Sequence, residues 1–256
     1  MQERIAEGQV VGENRKEYFE AVEKLGLYSS PRNLQFYFSH IFEDANSFAG
    51  KSVLDVGAGK GLCGTYAACS GASKVIAIEP EAAGATKGVR SKFTMLLDEL
   101  GLDAVSVLPV VFQEFDAGEE QFDIIILDDC VNHLDEEACV RLHVDQTARD
   151  TYMKIFTKLY TTASPGAKLV ITDASRYNFF AMLGLKNPFT PTIDFEGHQS
   201  PKLWAQLLTE AGFQNPRIRW RSFNRFGAIG KSLFANKTVS FFLHSRFCLT
   251  MEKAQE

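Results

Sequence analysis

Between residues 52 and 175, short apolar runs alternate with segments of helical spacing. Residues 52–56, 74–78, 105–111, 122–127 and 168–172 are nearly continuous runs of Val, Ile and Leu at strand length. The stretches 62–70, 82–100 (ending near Gly101) and 136–162 have the 3.6-residue period of helices. Strands that are apolar at every position must be covered on both faces, so the alternation predicts a parallel sheet between two layers of helices. Ahead of it, 16–25 and 33–42 read as helices rich in aromatics, separated by a break over 26–31. The end of the chain departs from the alternation. A helix over 201–211 stops at Gly212, and then 217–223 and 239–249 read as two strands with no helical pattern between them. Such a pair is expected to be antiparallel.

Composition adds bounds. The 256 residues suit one large α/β domain, and 45% hydrophobic with 23% charged residues is ordinary for a globular protein. Five cysteines without a CxxC pair argue for a reducing compartment rather than a disulfide framework or zinc ribbon. Residues 1–14 lack an apolar signal-peptide core and no run is long enough to span a bilayer, so a cytoplasmic location is expected. The net charge of −5 hides an asymmetry. Residues 112–150 hold 12 acidic and 2 basic side chains, while 211–251 hold 7 basic and no acidic ones. Solvated faces account for this, or the basic segment meets an anionic partner.

The densest chemical signal is at 53–61, Val-Leu-Asp-Val-Gly-Ala-Gly-Lys-Gly, where an apolar strand enters a glycine-rich turn. Gly57, Gly59 and Gly61 let a ligand approach the backbone where a Cβ would collide. A dinucleotide fingerprint needs glycine at 62, and Leu62 stands there. The next strand ends at Glu79-Pro80, 24 positions after Asp55 and near the spacing of about 20 at which a βαβ unit brings a carboxylate to a ribose diol.

Asp55-x-Gly57-Ala58-Gly59-x-Gly61 resembles motif I of the class I S-adenosylmethionine-dependent methyltransferases. The resemblance extends over roughly 50–175 and implies a three-layer α/β/α sandwich. Its seven-stranded, mostly parallel sheet has the order 3-2-1-4-5-7-6, with the last strand antiparallel. One domain over 1–256 is expected, with a helical cap at 1–46, a core at 47–251 and a substrate insert at about 174–200. S-adenosylmethionine, leaving as S-adenosylhomocysteine, would be held by the glycine turn, Asp55, Glu79 and Pro80. Phe112, Gln113 and Glu114 match the adenine position, and Asp128 and Asp129 follow the fourth strand. Metal dependence is not expected, because the family's metal-dependent branch needs an Asp-Asn pair where this chain has Asp173-Ala174. Nor does the Asn/Asp-Pro-Pro-aromatic motif of nucleic-acid enzymes occur, so no nucleic-acid partner is expected.

Methyl transfer from a sulfonium needs alignment, water exclusion and removal of the acceptor's proton. His133, in a segment resembling motif IV, is the first candidate for the base, with Asp128, Tyr177 and His198 as further catalytic candidates. Tyr28, Arg32, Phe36, Tyr37, His133, Arg176, Tyr177, His198 and Trp204 are the expected acceptor contacts. Arg217, Arg219 and Arg221 alternate along an edge strand, where charge discourages edge pairing. The favoured reading is transfer to an oxygen or nitrogen of a small molecule, such as a sugar, a sugar-linked intermediate or a natural product. A second reading places a lipid or glycolipid acceptor at a membrane surface, because 223–237 interleave phenylalanines with basic residues. A third makes the chain a non-catalytic cofactor-binding regulatory subunit. Gly50-Lys51-Ser52 and Gly230-Lys231-Ser232 end like a phosphate-binding loop but have Ala45 and Arg225 where its first glycine belongs.

Overall fold

A computed structural model of the chain describes residues 2–45, 47–81 and 87–255, with side chains from residue 11 onward. The chain divides into two compact units, Met1–Ile126 and Leu127–Glu256. The first carries α1 (Gln2–Lys24), α2 (Pro31–Ile41), β1 (Ser52–Val56), α3 (Leu62–Cys69), β2 (Lys74–Ile78), α4 (Val89–Leu100), β3 (Val105–Leu108) and most of β4 (Phe122–Asp128). The second carries α5 (Glu136–Arg141), α6 (Gln146–Thr162), β5 (Ala163–Ala174), α7 (Phe179–Met182) and α8 (Pro201–Glu210). It continues through β6 (Gln214–Trp220), α9 (Gly227–Phe234), α10 (Lys237–Phe242) and β7 (Arg246–Glu252). The strands form one sheet in the order β3-β2-β1-β4-β5-β7-β6. As the apolar runs require, β1–β2 and β2–β3 are parallel, and β7 is antiparallel to both β5 and β6.

In the first unit, β1 is buried from Val53 to Val56 and β2 from Val75 to Ile78. The N-terminal aromatics pack on α3. Tyr66 has the rings of Tyr18, Phe38 and Phe42 at 5.6, 4.4 and 5.9 Å between centroids. Ser30 starts α2 by accepting from Asn33 N, and Pro31 at the first helical position has no amide to satisfy. In the second unit, Tyr152, Phe156 and Trp204 hold α6 against α8, with centroids 5.1–5.8 Å apart.

Several boundaries differ from the sequence reading. The first helix begins at Gln2, not at residue 16, because its polar, mixed-charge opening carries no apolar period. Of the helix expected at 82–100, residues 82–86 lie outside the described residues and α4 begins at Val89. The helical stretch expected at 136–162 consists of α5 and α6, since Asp145 accepts from Thr147 N and starts α6 afresh. The fifth strand is longer than 168–172. It runs back through Pro165-Gly166, where Gly166 N donates to Ala254 O. At the chain end, 217–223 and 239–249 shorten or shift to β6 and β7, and two helices fill the interval expected to be loop.

Candidate functional site

In the first unit, β1 runs into a turn whose three glycines have positive φ (65°, 55° and 79° at Gly57, Gly59 and Gly61). Two of them serve different needs. A Cβ on Gly61 would lie 2.1 Å from the Phe93 ring, so that glycine is required by packing. A Cβ on Gly59 would meet nothing within 4 Å, so that side of the turn is open. Asp55, 1% exposed, accepts from Gly64 N at 2.8 Å and fixes the start of α3 to the strand. Glu79 is buried at the end of β2 and accepts from Gly59 N and Glu81 N, each at 2.8 Å. A carboxylate has about four acceptor positions, so Glu79 retains capacity for a diol. An open glycine turn with a carboxylate bonded to it fits the ribose and amino-acid parts of S-adenosylmethionine. Phe112 is packed in the core against Phe115, and Gln113 and Glu114 are exposed beside it.

In the second unit, a cavity of about 450 Å³ is lined by the ends of β4 and β5, the turn 131–134, α5 and the segment 192–198. His198 Nδ1 lies 2.7 Å from Asp173 Oδ1, at the C-terminal end of β5. That oxygen also accepts from Ala174 N at 2.7 Å, while Oδ2 is buried without a hydrogen-bond partner. Burial pushes the Asp173 carboxyl above its usual range, against the lowering effect of His198. With Nδ1–H donating to the carboxylate, Nε2 is the basic nitrogen of the ring.

His133 also lines the cavity, on the turn 131–134, with Nδ1 2.6 Å from Glu136 Oε1. This second pair is largely exposed (58% and 74%), where water weakens the attraction. The buried Tyr152 hydroxyl faces the carbonyls of Val131, Asn132 and Asp135 at 3.1–3.3 Å and pins the turn. Asn132 is buried with Oδ1 unpartnered in the cavity wall. Asp129 has φ +50° and an ion pair with Arg246 of β7. Burial raises its carboxyl, but Arg246 and Arg221 outweigh this and hold it below the usual carboxylate range. Asp128 accepts from Thr172 Oγ1 at 2.5 Å, which ties the end of β4 to β5.

Thus the cavity brings together His133, His198 and Asp129 from the expected set. Tyr177 is exposed and Arg176 donates to His143 Nδ1 at 2.7 Å; neither lines the cavity. Tyr28 and Phe36 are partly exposed, Arg32 is exposed and Tyr37 is buried, all in the first unit. Trp204 is a correction. It is 0% exposed between Tyr152 and Phe156, so it offers no face to a ligand. Arg221 is another. It follows β6 and is buried, where it acts on Asp129 and His244 rather than guarding an edge. Asp173, Asn132 and Arg246 went unnoticed as site residues in the sequence. Asp173 had a usable signal, an acid closing an apolar strand, but its histidine partner lies 25 positions away. Among the described residues, no three His, Cys, Asp or Glu are grouped to hold a metal ion.

The sheet order and the glycine turn define a class I methyltransferase fold. A family model described as a methyltransferase domain matches residues 17–217, and the chain belongs to that family. It is an S-adenosylmethionine-dependent methyltransferase, with S-adenosylhomocysteine as the spent cofactor. Among solved structures, a methyltransferase of this dependence from Aquifex aeolicus has a TM-score of 0.58 at 19% identity, covering 90% of this chain and 97% of that one. A second, from Mesorhizobium loti, has a TM-score of 0.55 at 12% identity, covering 81% and 93%. Among curated proteins, the arginine N-methyltransferase PRMT10 of Arabidopsis thaliana is 46% identical over 53 residues. That match spans 21% of this chain and 14% of the relative.

Proposed function

We propose that the chain methylates an oxygen or nitrogen of a small polar acceptor bound in the second unit's cavity, with His198 as the base. The 2.7 Å contact of His198 with buried Asp173 carries this reading. As the acceptor attacks, its proton passes to Nε2, and the Asp173 carboxylate stabilises the imidazolium that forms. This pair is favoured over His133–Glu136 because a buried carboxylate meets less screening. Asn132 and Asp129 orient the acceptor's polar groups, and a cavity near 450 Å³ suits a small molecule. S-adenosylmethionine supplies a methyl group already activated as a sulfonium. Gly57, Ala58, Gly59, Glu79, Pro80, Gln113 and Glu114 hold it, with Asp55, Gly61 and Phe112 acting through the packing behind them. A cytoplasmic site of action fits this chemistry.

A second reading, a cationic amine or guanidine acceptor, is favoured by the lining. Asp129, Glu136, Asp173 and Asp194 face Arg246 as the lone Lys or Arg among the residues that line the cavity. The PRMT10 similarity points the same way. The deciding experiment is His198→Gln in a methyl-transfer assay with hydroxylated, amine and guanidine acceptors. Turnover should fall by about 10²–10⁴ on the preferred acceptor, with donor affinity by calorimetry unchanged. Wild-type turnover in the variant would overturn the assignment of the base.

A further inference from the structure

Two segments of the second unit expose an unusual amount of apolar surface. Of the 13 large hydrophobic side chains exposed among the described residues, nine lie between Tyr177 and Phe242. Met182, Leu183, Leu185 and Phe189 come from the segment after β5; Phe226, Ile229, Leu233 and Phe242 come from the segment before β7. The two segments share one continuous chain of ring contacts. It runs Phe242–Phe179–Phe180–Phe189–Phe223–Phe226–Phe234 with centroids 4.9–6.4 Å apart.

The underside of this layer is fixed rather than loose. Asn178 donates to Phe241 O and Ser245 Oγ, and Asn187 donates to Leu243 O and Asn178 Oδ1, at 2.5–3.1 Å. Both asparagines are buried. Ile229 and Leu233 are spaced i, i+4 and share one face of α9, and Phe226 immediately precedes the helix. Gly230 of α9 is buried, and a Cβ there would lie 2.4 Å from Phe226 Cβ and 3.2 Å from Ser222 Oγ, so the helix is closely seated. Hence Ile229 at 72% and Leu233 at 58% exposure point outward from a seated helix.

The charges on these segments have one sign. Lys186, Arg225, Lys231 and Lys237 are exposed, and neither 177–193 nor 211–251 contains an aspartate or glutamate. The Arg225 guanidinium lies 5.2 and 4.9 Å from the Phe223 and Phe226 ring centroids, so the cation sits on the aromatic layer itself. A patch meant for a second copy of this chain would need acidic groups opposite these cations, and the patch has none to offer in a symmetric contact. Apolar side chains rimmed only by cations match the interface of an anionic bilayer, where the former enter the acyl boundary and the latter meet headgroups.

We propose that residues 178–190 and 224–242 form a docking face for an anionic lipid bilayer. The same segment that leaves this face at Thr190 supplies Thr192, Ile193, Asp194 and His198 to the cavity wall. Docking therefore holds one wall of the cavity at the lipid surface, whichever acceptor atom is methylated.

The test is co-sedimentation of the full chain with vesicles of phosphatidylcholine alone and with 30 mol% phosphatidylglycerol (about one anionic lipid in three, enough for the surface potential to act). Binding to the anionic vesicles should exceed binding to the neutral ones by about tenfold and weaken as salt is raised. The doubly substituted Ile229→Asp, Leu233→Asp chain should lose that binding at least tenfold while keeping wild-type donor affinity by calorimetry. Equal partitioning onto both vesicle types, or undiminished binding by the double variant, would overturn the proposal. So would a wild-type dimer in light scattering that the double variant abolishes, because the face would then belong to a second copy.

Discussion

At the scale of single residues, Asp173 bears on both the proposed chemistry and the stability of the fold. Its carboxyl is buried, with one oxygen bonded and the other unpartnered, so ionising it is costly. Its folded pKa lies above the usual carboxylate value, so the folded chain holds this proton more tightly than the unfolded chain. The resulting stability is complete below the ordinary carboxylate pKa and is lost as pH rises through the raised value. Asp173→Asn removes that dependence. Its melting temperature minus that of the wild type should grow between pH 4 and pH 8, while turnover falls by about 10²–10⁴. A constant difference across that range would mean the buried carboxylate is fully compensated in the fold. Asp173 escaped the sequence reading because an acid ending a strand gives no sign of its partner; that partner arrives through the fold of 192–198.

Elements were legible where burial was one-sided or complete, and obscure where it was not. The apolar runs identified β1, β2, β4 and β5, because a strand covered on both faces has an unmixed composition. By contrast, α9 and α10 were missed since the apolar stripe of α9 faces outward and reads as a loop with stray phenylalanines. The glycine turn shows the same limit at finer grain. Three alternate glycines signal a close approach, but not which of them meets a ligand and which meets the protein. Gly61 meets Phe93 on α4, so this glycine joins the turn to the helix beyond it. Gly61→Ala should destabilise by about 2–4 kcal/mol, from overpacking plus the positive φ of 79°. The urea midpoint would fall accordingly. An unchanged midpoint would show that Phe93 can swing away at little cost.

For the whole molecule, acid is the direction of weakness, and His244 is the main reason. Its ring is buried beside Arg221, Arg246 and the Phe223 ring, and accepts from Arg246 N at 3.0 Å. Burial first, and then the two guanidinium groups, pull its pKa down from 6.5 to about 3. Between those values the unfolded chain takes up a proton that the folded chain refuses. Stability from this site is therefore complete above about pH 6.5 and is lost as pH falls towards 3, at up to about 1.4 kcal/mol per pH unit. Asp123 and Asp129, held below the usual carboxylate range, add losses only further into acid, and Asp173 acts with the opposite sign. Between pH 6.5 and about 4.5 the histidine therefore works against Asp173, and comparison with a His244 variant separates the two. Urea unfolding across that window should show stability falling with pH in the wild type and a markedly shallower slope in His244→Asn. Substitution of a buried ring lowers the absolute stability as well, so the slope, not the midpoint at one pH, is the readout. Parallel slopes would place the acid sensitivity elsewhere and leave His244 as a packing residue between two arginines.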